Sequence, residues 1–164
     1  MVKRYFKSIN GKTIDILEFC QQKCTNNTTL YVGTDSVVTK DKTVFVVVVA
    51  VRFGKPEDKT AKGSSFCYLI HKVPRHKDKL DRLREEAVVT MEMVQYLEDN
   101  YIPVDIVEFD YNSDPSHDSN KVIDQVGWAT GLGYKITIKP DEQVAVKAAD
   151  HICKEKNLKE RKRK

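Results

Sequence analysis

Four acidic side chains stand at positions where chemistry is plausible: two at the ends of predicted strands and two on predicted helices. Asp35 closes the apolar-to-polar segment 31–36, and Asp110 closes a strand predicted over 104–110. Carboxylates at neighbouring strand ends repel one another, so they are costly to keep ionised unless a cation lies between them. Oxygen-only ligand sets select hard ions. The pattern therefore predicts a Mg²⁺ or Mn²⁺ site.

The two helical acids complete the candidate set. Glu86 lies near the apolar stripe of a helix predicted over 78–100, and we favour it over the adjacent Glu85. Asp150 follows two alanines, which allow the last helix to approach the sheet closely. Each acid also has an ordinary interpretation. The segment 33–36 suits a simple turn, Glu85 suits an ion pair with Arg82, and Asp150 suits one with Lys147 or Lys154.

The elements that must position these acids indicate an α/β fold. Residues 44–51 are all apolar and mostly β-branched, which is typical of a strand buried on both faces. Three strands joined by hairpin-length connections are followed by strands that return through helices, and such crossovers place neighbouring strands parallel. We expect a mixed five-stranded sheet in the order 3-2-1-4-5, with strand 2 antiparallel and helices on both faces. The predicted bounds are helix 13–24 with Thr13 as N-cap, strands 30–35, 43–52 and 64–72, helix 78–100, strand 104–110, helix 119–130, strand 134–139 and helix 142–156.

Length and composition indicate one domain. A chain of 164 residues with 40% apolar and 32% charged residues is typical of a globular protein with a single core. We expect this domain over 1–153, with its core at about 29–153, after the short N-terminal helix. The longest apolar run is too short for a membrane helix and no signal-like segment follows the N-terminus, so we expect a cytoplasmic protein without a membrane partner.

Positive charge is concentrated at the C-terminus. Residues 154–164 contain seven Lys or Arg and two Glu, a net charge of +5, whereas the whole chain carries +4. A basic segment of this kind attracts phosphate backbones through counterion release, although a solvated terminus is the ordinary interpretation. The residues expected to contact nucleic acid are Lys159, Arg161, Lys162, Arg163 and Lys164.

A longer set of motifs resembles a known family. The segments are 31–36 (YVGTDS), 85–87 (EEA), 109–112 (FDYN), 119–121 (SNK), 131–134 (GLGY), 138–141 (IKPD) and 149–150 (AD). Together they resemble the YkuK-type family of uncharacterised ribonuclease H-like proteins, over about residues 29–153. The resemblance implies a ribonuclease H-like fold and, from the wider superfamily, a two-metal phosphodiester hydrolase.

The resemblance also implies roles for the acids. Asp35 would bridge two Mg²⁺ or Mn²⁺ ions, Glu86 and Asp110 would hold the ion on the leaving-oxygen side, and Asp150 would hold the ion that activates water. Glu85 is the alternative to Glu86, and Asp141 is the alternative to Asp150. A further acid, Glu108, lies two residues before Asp110 on the same strand face, as a supplementary ligand or a structural residue.

Three functional hypotheses follow. The first is a metal-dependent nuclease acting on RNA, an RNA/DNA hybrid or structured DNA, with nucleic acid as partner and no small organic cofactor. The second is a non-catalytic module that binds nucleic acid or protein on the same scaffold. The third is a zinc- or redox-linked regulator through Cys20 and Cys24, which are four residues apart without a second close pair. For these two thiols, burial as small apolar side chains is the more ordinary interpretation.

Overall fold

The computed structural model describes residues 4–58 and 63–162, with side chains described up to Glu155. Seven strands and four α-helices occur in this part of the chain, together with one short 3₁₀ helix. In chain order they are β1 (Tyr5–Lys7), β2 (Thr13–Asp15), α1 (Ile16–Lys23), β3 (Thr28–Val38), β4 (Lys42–Phe53), β5 (Ser64–Pro74), α2 (Lys79–Asp99), β6 (Ile106–Asn112), the 3₁₀ helix (Asp118–Val122), α3 (Asp124–Gly131), β7 (Ile136–Lys139) and α4 (Ala145–Lys162).

The sheet is mixed and contains seven strands in the order β2-β1-β5-β4-β3-β6-β7. Its last five strands reproduce the predicted order 3-2-1-4-5. β4 runs antiparallel to both β3 and β5, and β6 runs parallel to both β3 and β7. The prediction of five strands is wrong because the N-terminal hairpin of β1 and β2 extends the edge beside β5. Each of these strands has only three residues, too few for a recognisable alternation.

The first helix begins later than predicted. Thr13 belongs to β2, and the N-cap is Asp15, whose Oδ1 accepts hydrogen bonds from the backbone N–H groups of Leu17 and Glu18 at 3.0 and 3.4 Å. An aspartate at this position satisfies two N–H groups that have no partner within the helix. The apolar residues at helical spacing correctly indicated a helix, and only its start was misplaced.

Helices pack on both faces of the sheet. On one face, α1, α2 and α3 cover a cluster that includes Val32, Val47 and Phe109. On the other face, α4 covers a second cluster, with Ala145 and Ala149 against strand residues such as Val46. β4 lies in the middle, and its residues 43–51 are buried. Alternate side chains of one strand thus contribute to two cores, which is why this strand is apolar throughout.

Three other elements differ from the prediction in their boundaries. β3 continues to Val38, so Asp35 lies inside the strand and not at its end. The predicted helix 119–130 is divided into the 3₁₀ helix and α3, which meet at Ile123. The last helix begins at Ala145, three residues after the predicted start, and its backbone continues through Lys162.

The remaining sequence predictions concern the membrane and the cysteines. Within the described ranges, no helix combines the length and apolarity that crossing a membrane requires. All four cysteines are free, with Cys20 buried and Cys24 partly buried. A hydrogen bond with Cys24, together with burial, raises the pKa of Cys20 far above its usual range. This environment favours the interpretation of Cys20 as a buried apolar residue over that of a zinc ligand.

Candidate functional site

The two strand acids lie side by side where the parallel pairing of β3 and β6 ends. In that ladder Gly33 is opposite Glu108, and this pair is the last of the register. Asp35 and Asp110 follow these residues by two positions each. Side chains two apart on a strand share a face. Both carboxylates therefore project on the face that α4 covers, beyond the last ladder pair, as the topology predicted.

α2 supplies the third acid. Thr90 donates a hydrogen bond from its hydroxyl to Thr34 Oγ1 at 2.8 Å, and this buried contact holds α2 against β3. One turn earlier on the same helix, Glu86 is only 4% exposed and its Oε1 accepts a hydrogen bond from the Ser36 hydroxyl. Oε2 of Glu86 is also buried and has no hydrogen-bond partner among the described residues. One carboxylate oxygen is thus left without a donor.

The neighbouring Glu85 points elsewhere. Its carboxylate pairs with Nε2 of His76, whose Nδ1 lies 2.9 Å from the buried Thr43 hydroxyl. His76 also packs edge-on against the ring of Phe45. Glu85 therefore fixes the segment that enters α2, and the expected pairing with Arg82 is replaced by the pairing with His76. Of the two adjacent acids, Glu86 is the one that contacts β3, through Ser36.

A cavity of about 250 Å³ joins these acids. Asp35, Glu86 and Asp110 all border it, together with the basic side chains of Arg82 and Lys139. The remaining lining residues are Lys79, Leu83, Tyr111, Asn112, His117, Asp118 and Ser119. The loop containing His117 thus contributes to the lining of the cavity.

Burial and mutual repulsion perturb the acids of this cavity. Burial, with the charge of Asp110 next in importance, raises the pKa of Asp35 to about 7. Burial and the charge of Asp35 raise the pKa of Glu86 well above its usual value, although the Ser36 hydrogen bond opposes this. Two neighbouring acids whose charged forms are both disfavoured form a site that gains from a cation.

The fourth acid borders an adjacent cavity. Asp150 on α4 and Asp141 in the preceding loop both line a space of about 440 Å³, which Asp110 and Lys139 also border. Asp150 pairs with Lys154 one turn later, 2.7 Å from its Oδ2 to Nζ, as its ordinary interpretation predicted. Its charge nevertheless contributes to the raised pKa of Asp35. Asp150 is therefore near Asp35, but it borders a different cavity.

Lys139 separates the two cavities and was not predicted as a site residue. It ends β7, and its Nζ lies 2.5 Å from Oδ1 of Asp110. Burial lowers the pKa of Lys139, but the contact with Asp110 and the charges of Asp35 and Asp150 together raise it. The parallel pairing of β6 with β7 brings Lys139 opposite Asn112, two residues after Asp110. A lysine at the end of the next parallel strand is the signal that sequence reasoning missed.

Glu108 has a structural role. Its side chain is completely buried and its two oxygens accept hydrogen bonds from the backbone N–H groups of Val144, Ala145 and Val146, at 2.7, 2.5 and 3.0 Å. Burial raises the pKa of Glu108 despite these bonds, which lower it. The carboxylate caps α4, so of the two roles considered for Glu108 the structural one is observed.

Close contact between α4 and β3 depends on a glycine. A Cβ atom on Gly33 would lie 2.9 Å from Val146 Cγ2, 3.1 Å from the Val146 backbone N and 3.2 Å from Ala145 Cβ. The absent side chain therefore allows the start of α4 to rest on the strand that carries Asp35. The same contact sets the depth at which Asp150 approaches the other acids.

A larger cavity lies on the same face of the sheet. Its volume is about 480 Å³, and it is bordered by Arg52, Phe66 and His151 among others. None of the four predicted acids borders it. Its lining contains a single described carboxylate, Glu142, which pairs with Arg52 at 3.4 Å. The smaller cavity is the better candidate for a functional site, because it contains Asp35 and Glu86, whose pKa values are raised.

Comparison with known proteins is consistent with this geometry. A family model described as ribonuclease H-like matches residues 13–154, which is most of the chain. The chain belongs to the ribonuclease H-like family. Neither a curated protein nor a solved structure matches it. The mixed sheet with helices on both faces is the scaffold of this ribonuclease H-like chain, and the acids lie at its parallel strand pair.

The site fits a hard divalent cation in part. The residues that would hold it are Asp35, Glu86 and Asp110, with the unpartnered Oε2 of Glu86 as the observation in favour. In the described ranges 4–58 and 63–162, however, no three acidic, histidine or cysteine side chains are grouped closely enough to surround one ion. Lys139 pairs with Oδ1 of Asp110. The residues predicted to bind nucleic acid have side chains that lie outside the described part of the chain; they are Lys159, Arg161, Lys162, Arg163 and Lys164.

Proposed function

We propose that this ribonuclease H-like chain is a Mg²⁺- or Mn²⁺-dependent nuclease that hydrolyses phosphodiester bonds in RNA, an RNA/DNA hybrid or structured DNA. The observation that carries the proposal is the cavity shared by Asp35, Glu86 and Asp110, in which one oxygen of Glu86 is buried without a donor. Membership of the ribonuclease H-like family supports phosphodiester chemistry. A fold alone does not specify an activity, so the proposal depends on the residues of the site.

The chemistry requires a water molecule to attack phosphorus while the bond to the leaving oxygen breaks. A divalent ion bound at these carboxylates supplies a more acidic water and neutralises the charge that develops on the phosphate. The chain's own cations would bind the substrate. Arg82 projects one turn before Glu86 into the same cavity, and its buried Nε has no hydrogen-bond partner among the described residues. A guanidinium with a free N–H suits a phosphate oxygen.

The remaining site residues have narrower roles in this proposal. Lys79 and His117 border the cavity mouth and would contact the flanking phosphate and the leaving oxygen, respectively. Asp150 would bind an ion in the adjacent cavity, with Asp141 nearby as the alternative. The proposal is compatible with two ions that share Asp35, as the resemblance implies, and with a single ion at Asp35 and Glu86.

The proposal includes three finer expectations. The motifs at 31–36 and 138–141 support placement of the chain in the YkuK-type branch of the ribonuclease H-like proteins. A cytoplasmic location and the use of no small organic cofactor stay predictions. The basic segment 154–164 would add non-specific affinity for the phosphate backbone, with strong dependence on salt.

Cleavage assays with matched variants test the proposal. End-labelled single-stranded RNA, RNA/DNA hybrid and branched DNA would be incubated with wild type in Mn²⁺, Mg²⁺ or chelator. We expect cleavage of at least one substrate that stops in chelator. Asp35→Asn and Glu86→Gln should each reduce the rate by at least about 100-fold, because loss of a supporting residue at a metal site already costs roughly 10- to 100-fold.

Glu85→Gln is the matched control for Glu86→Gln. It removes the same charge from the adjacent residue of α2, where the carboxylate pairs with His76 and does not border the cavity. This variant should cleave at close to the wild-type rate. Metal-dependent cleavage that survives in Asp35→Asn would contradict the proposal, provided that circular dichroism shows the variant to be folded.

The second candidate is a non-catalytic module that binds nucleic acid or protein. It is favoured by the ion pairs that two of the acids already form, Asp110 with Lys139 and Asp150 with Lys154. It predicts salt-sensitive binding of nucleic acid without turnover. Binding should weaken when Lys159, Arg161 and Lys162 are changed to Gln and should be unaffected by Asp35→Asn.

A further inference from the structure

The acids of the candidate site divide into two groups by how their charge is compensated. On one side, Asp35 and Glu86 border the smaller cavity, neither forms an ion pair with a described basic side chain, and Oε2 of Glu86 is buried without a hydrogen-bond partner among the described residues. On the other side, Asp110 and Asp150 each contact a lysine ammonium, at 2.5 and 2.7 Å. Two divalent ions bound in equivalent ways would require that the acids on both sides lack a lysine or arginine partner.

Lys139 contributes most of the compensation on the second side. The pair of Asp150 with Lys154 is exposed, with about half or more of each side chain in solvent, and exposed pairs of this kind are weak. The carboxylate of Asp110 is only 24% exposed, and its buried Oδ1 accepts no hydrogen bond of ordinary geometry from the described residues. The ammonium of Lys139 is what neutralises that oxygen.

The position of Lys139 is that of a bridging cation. It borders both cavities together with Asp110, one containing Asp35 and the other containing Asp150. An ammonium group is a compact point charge on a flexible stem, so it can fill the place of a small ion between carboxylates. The resemblance implies that Asp35 and Asp150 hold the second divalent ion, and the charges of both acids, like that of Asp110, act on the ammonium of Lys139.

We infer that the ammonium of Lys139 takes the place of the second divalent ion, so that this site binds one Mg²⁺ or Mn²⁺ at Asp35 and Glu86. The inference rests on the proposed function, because it specifies how that metal centre is built. Lys139 is then a residue of the active site that supplies a fixed positive charge beside the ion, where the substrate phosphate would approach.

Removal of the ammonium provides the test. In Lys139→Met, Asp110 loses the ammonium that contacts it, and Asp35 and Asp150 lose a nearby positive charge, so a second ion should bind. Lys139→Arg retains the charge and should keep the wild-type count. Lys147→Met is the matched control, because Lys147 borders the cavity of Asp150 and carries the same charge, whereas the ammonium that contacts Asp110 is that of Lys139.

The measurement is the number of bound Mn²⁺ ions, counted by electron paramagnetic resonance of the free ion and by calorimetry in about 0.15 M salt, where surface binding is screened. We expect one ion for wild type, Lys139→Arg and Lys147→Met, and two for Lys139→Met. The count does not depend on cleavage, and thermal melts would establish that each variant is folded.

Each other result overturns the inference. Two ions on wild type, or one on Lys139→Met, would mean that Lys139 does not replace an ion. If wild type with two ions also cleaves nucleic acid, the inference fails while the proposed nuclease stands. If wild type binds no ion and cleaves nothing, both fail together.

Discussion

Asp35→Asn should make the ion-free protein more stable at alkaline pH. Asp35 is 9% exposed, and the pKa of its carboxyl rises to about 7 because of burial and the charge of Asp110. Asparagine has nearly the same shape and retains an oxygen that can accept the hydrogen bond from the Ser36 backbone N–H, which is 2.8 Å long in the wild type. The substitution therefore removes the charge with little change in packing.

The sign follows from linkage between protonation and folding. In the unfolded chain an aspartate ionises near its ordinary pKa of 3.8, whereas in the folded chain the pKa of Asp35 is about 7. The fold therefore favours the protonated carboxyl of Asp35. The free energy of unfolding falls as the pH rises from about 4 to about 7. The difference between these two pKa values corresponds to a loss of about 4 kcal/mol in the free energy of unfolding. This value is an upper bound, because water that enters the cavity would reduce the loss.

The assay is urea unfolding with a chelator present, at about pH 4 and about pH 8.5, which are the acidic edge and the alkaline side of the range over which the ionisation of Asp35 affects stability. Asp35→Asn should differ little from wild type at the acidic pH and should have the larger free energy of unfolding at the alkaline pH. Mn²⁺ should then stabilise wild type at the alkaline pH, because an ion that binds only the folded state adds its binding free energy. It should not stabilise the variant.

Asp15→Asn is a control for which we expect the opposite change in stability at alkaline pH. The hydrogen bond from Arg4 and those from the start of α1 lower the pKa of Asp15 against the effect of burial, so this charge stabilises the fold at neutral pH. The variant should be less stable than wild type at the alkaline pH, with the difference disappearing as the pH falls. If Asp35→Asn showed no gain at that pH, Asp35 would not lie in the crowded, buried acid site described above.

Further predictions concern how the site is held together, and unfolding in urea checks all of them. Gly33→Ala should destabilise the fold by about 1 to 2 kcal/mol, because the new Cβ would press on Val146. Gly127 is an exposed helical residue with open space around it, so Gly127→Ala should stabilise the fold by up to about 1 kcal/mol. Equal effects would contradict the close contact of α4 with β3. Glu108→Ala should cost about 1 to 3 kcal/mol, because it leaves the backbone N–H groups of Val144, Ala145 and Val146 without their acceptor. Tyr111→Phe should cost about 1 kcal/mol through loss of the hydrogen bond that its hydroxyl donates to the Leu83 carbonyl; no loss would mean that this bond does not stabilise α2.

Most of the architecture was accessible from local sequence patterns. The long helix was predicted over 78–100 and is observed as Lys79–Asp99, because its apolar stripe is long and Asp78 caps it. The order of the five main strands followed from hairpin and crossover connections. The hairpin of β1 and β2 was missed, because two strands of three residues have no periodicity and are stabilised by pairing with β5.

The neighbourhood of the acids was predicted better than their partners. Placement of Asp35 beside Asp110 required only the parallel pairing of two strands. The ion pairs of Asp110 with Lys139 and of Glu85 with His76 depend on contacts between elements distant in sequence or on the path of a loop. No pattern of propensity or spacing encodes which of several nearby cations a carboxylate meets.

Glu108 and Asp110 show why acid types alone do not define a metal site. They lie two residues apart on one strand face, yet their charges are compensated in different ways. Glu108 receives three backbone N–H groups from the start of α4, where the helix dipole also favours a negative charge. Asp110 receives one flexible ammonium, which can move when a substrate or ion arrives. The first arrangement fixes the helix that carries Asp150, and the second leaves a carboxylate that can exchange its partner. Glu108 therefore holds the last helix in place, whereas Asp110 is the acid of the two that borders both cavities.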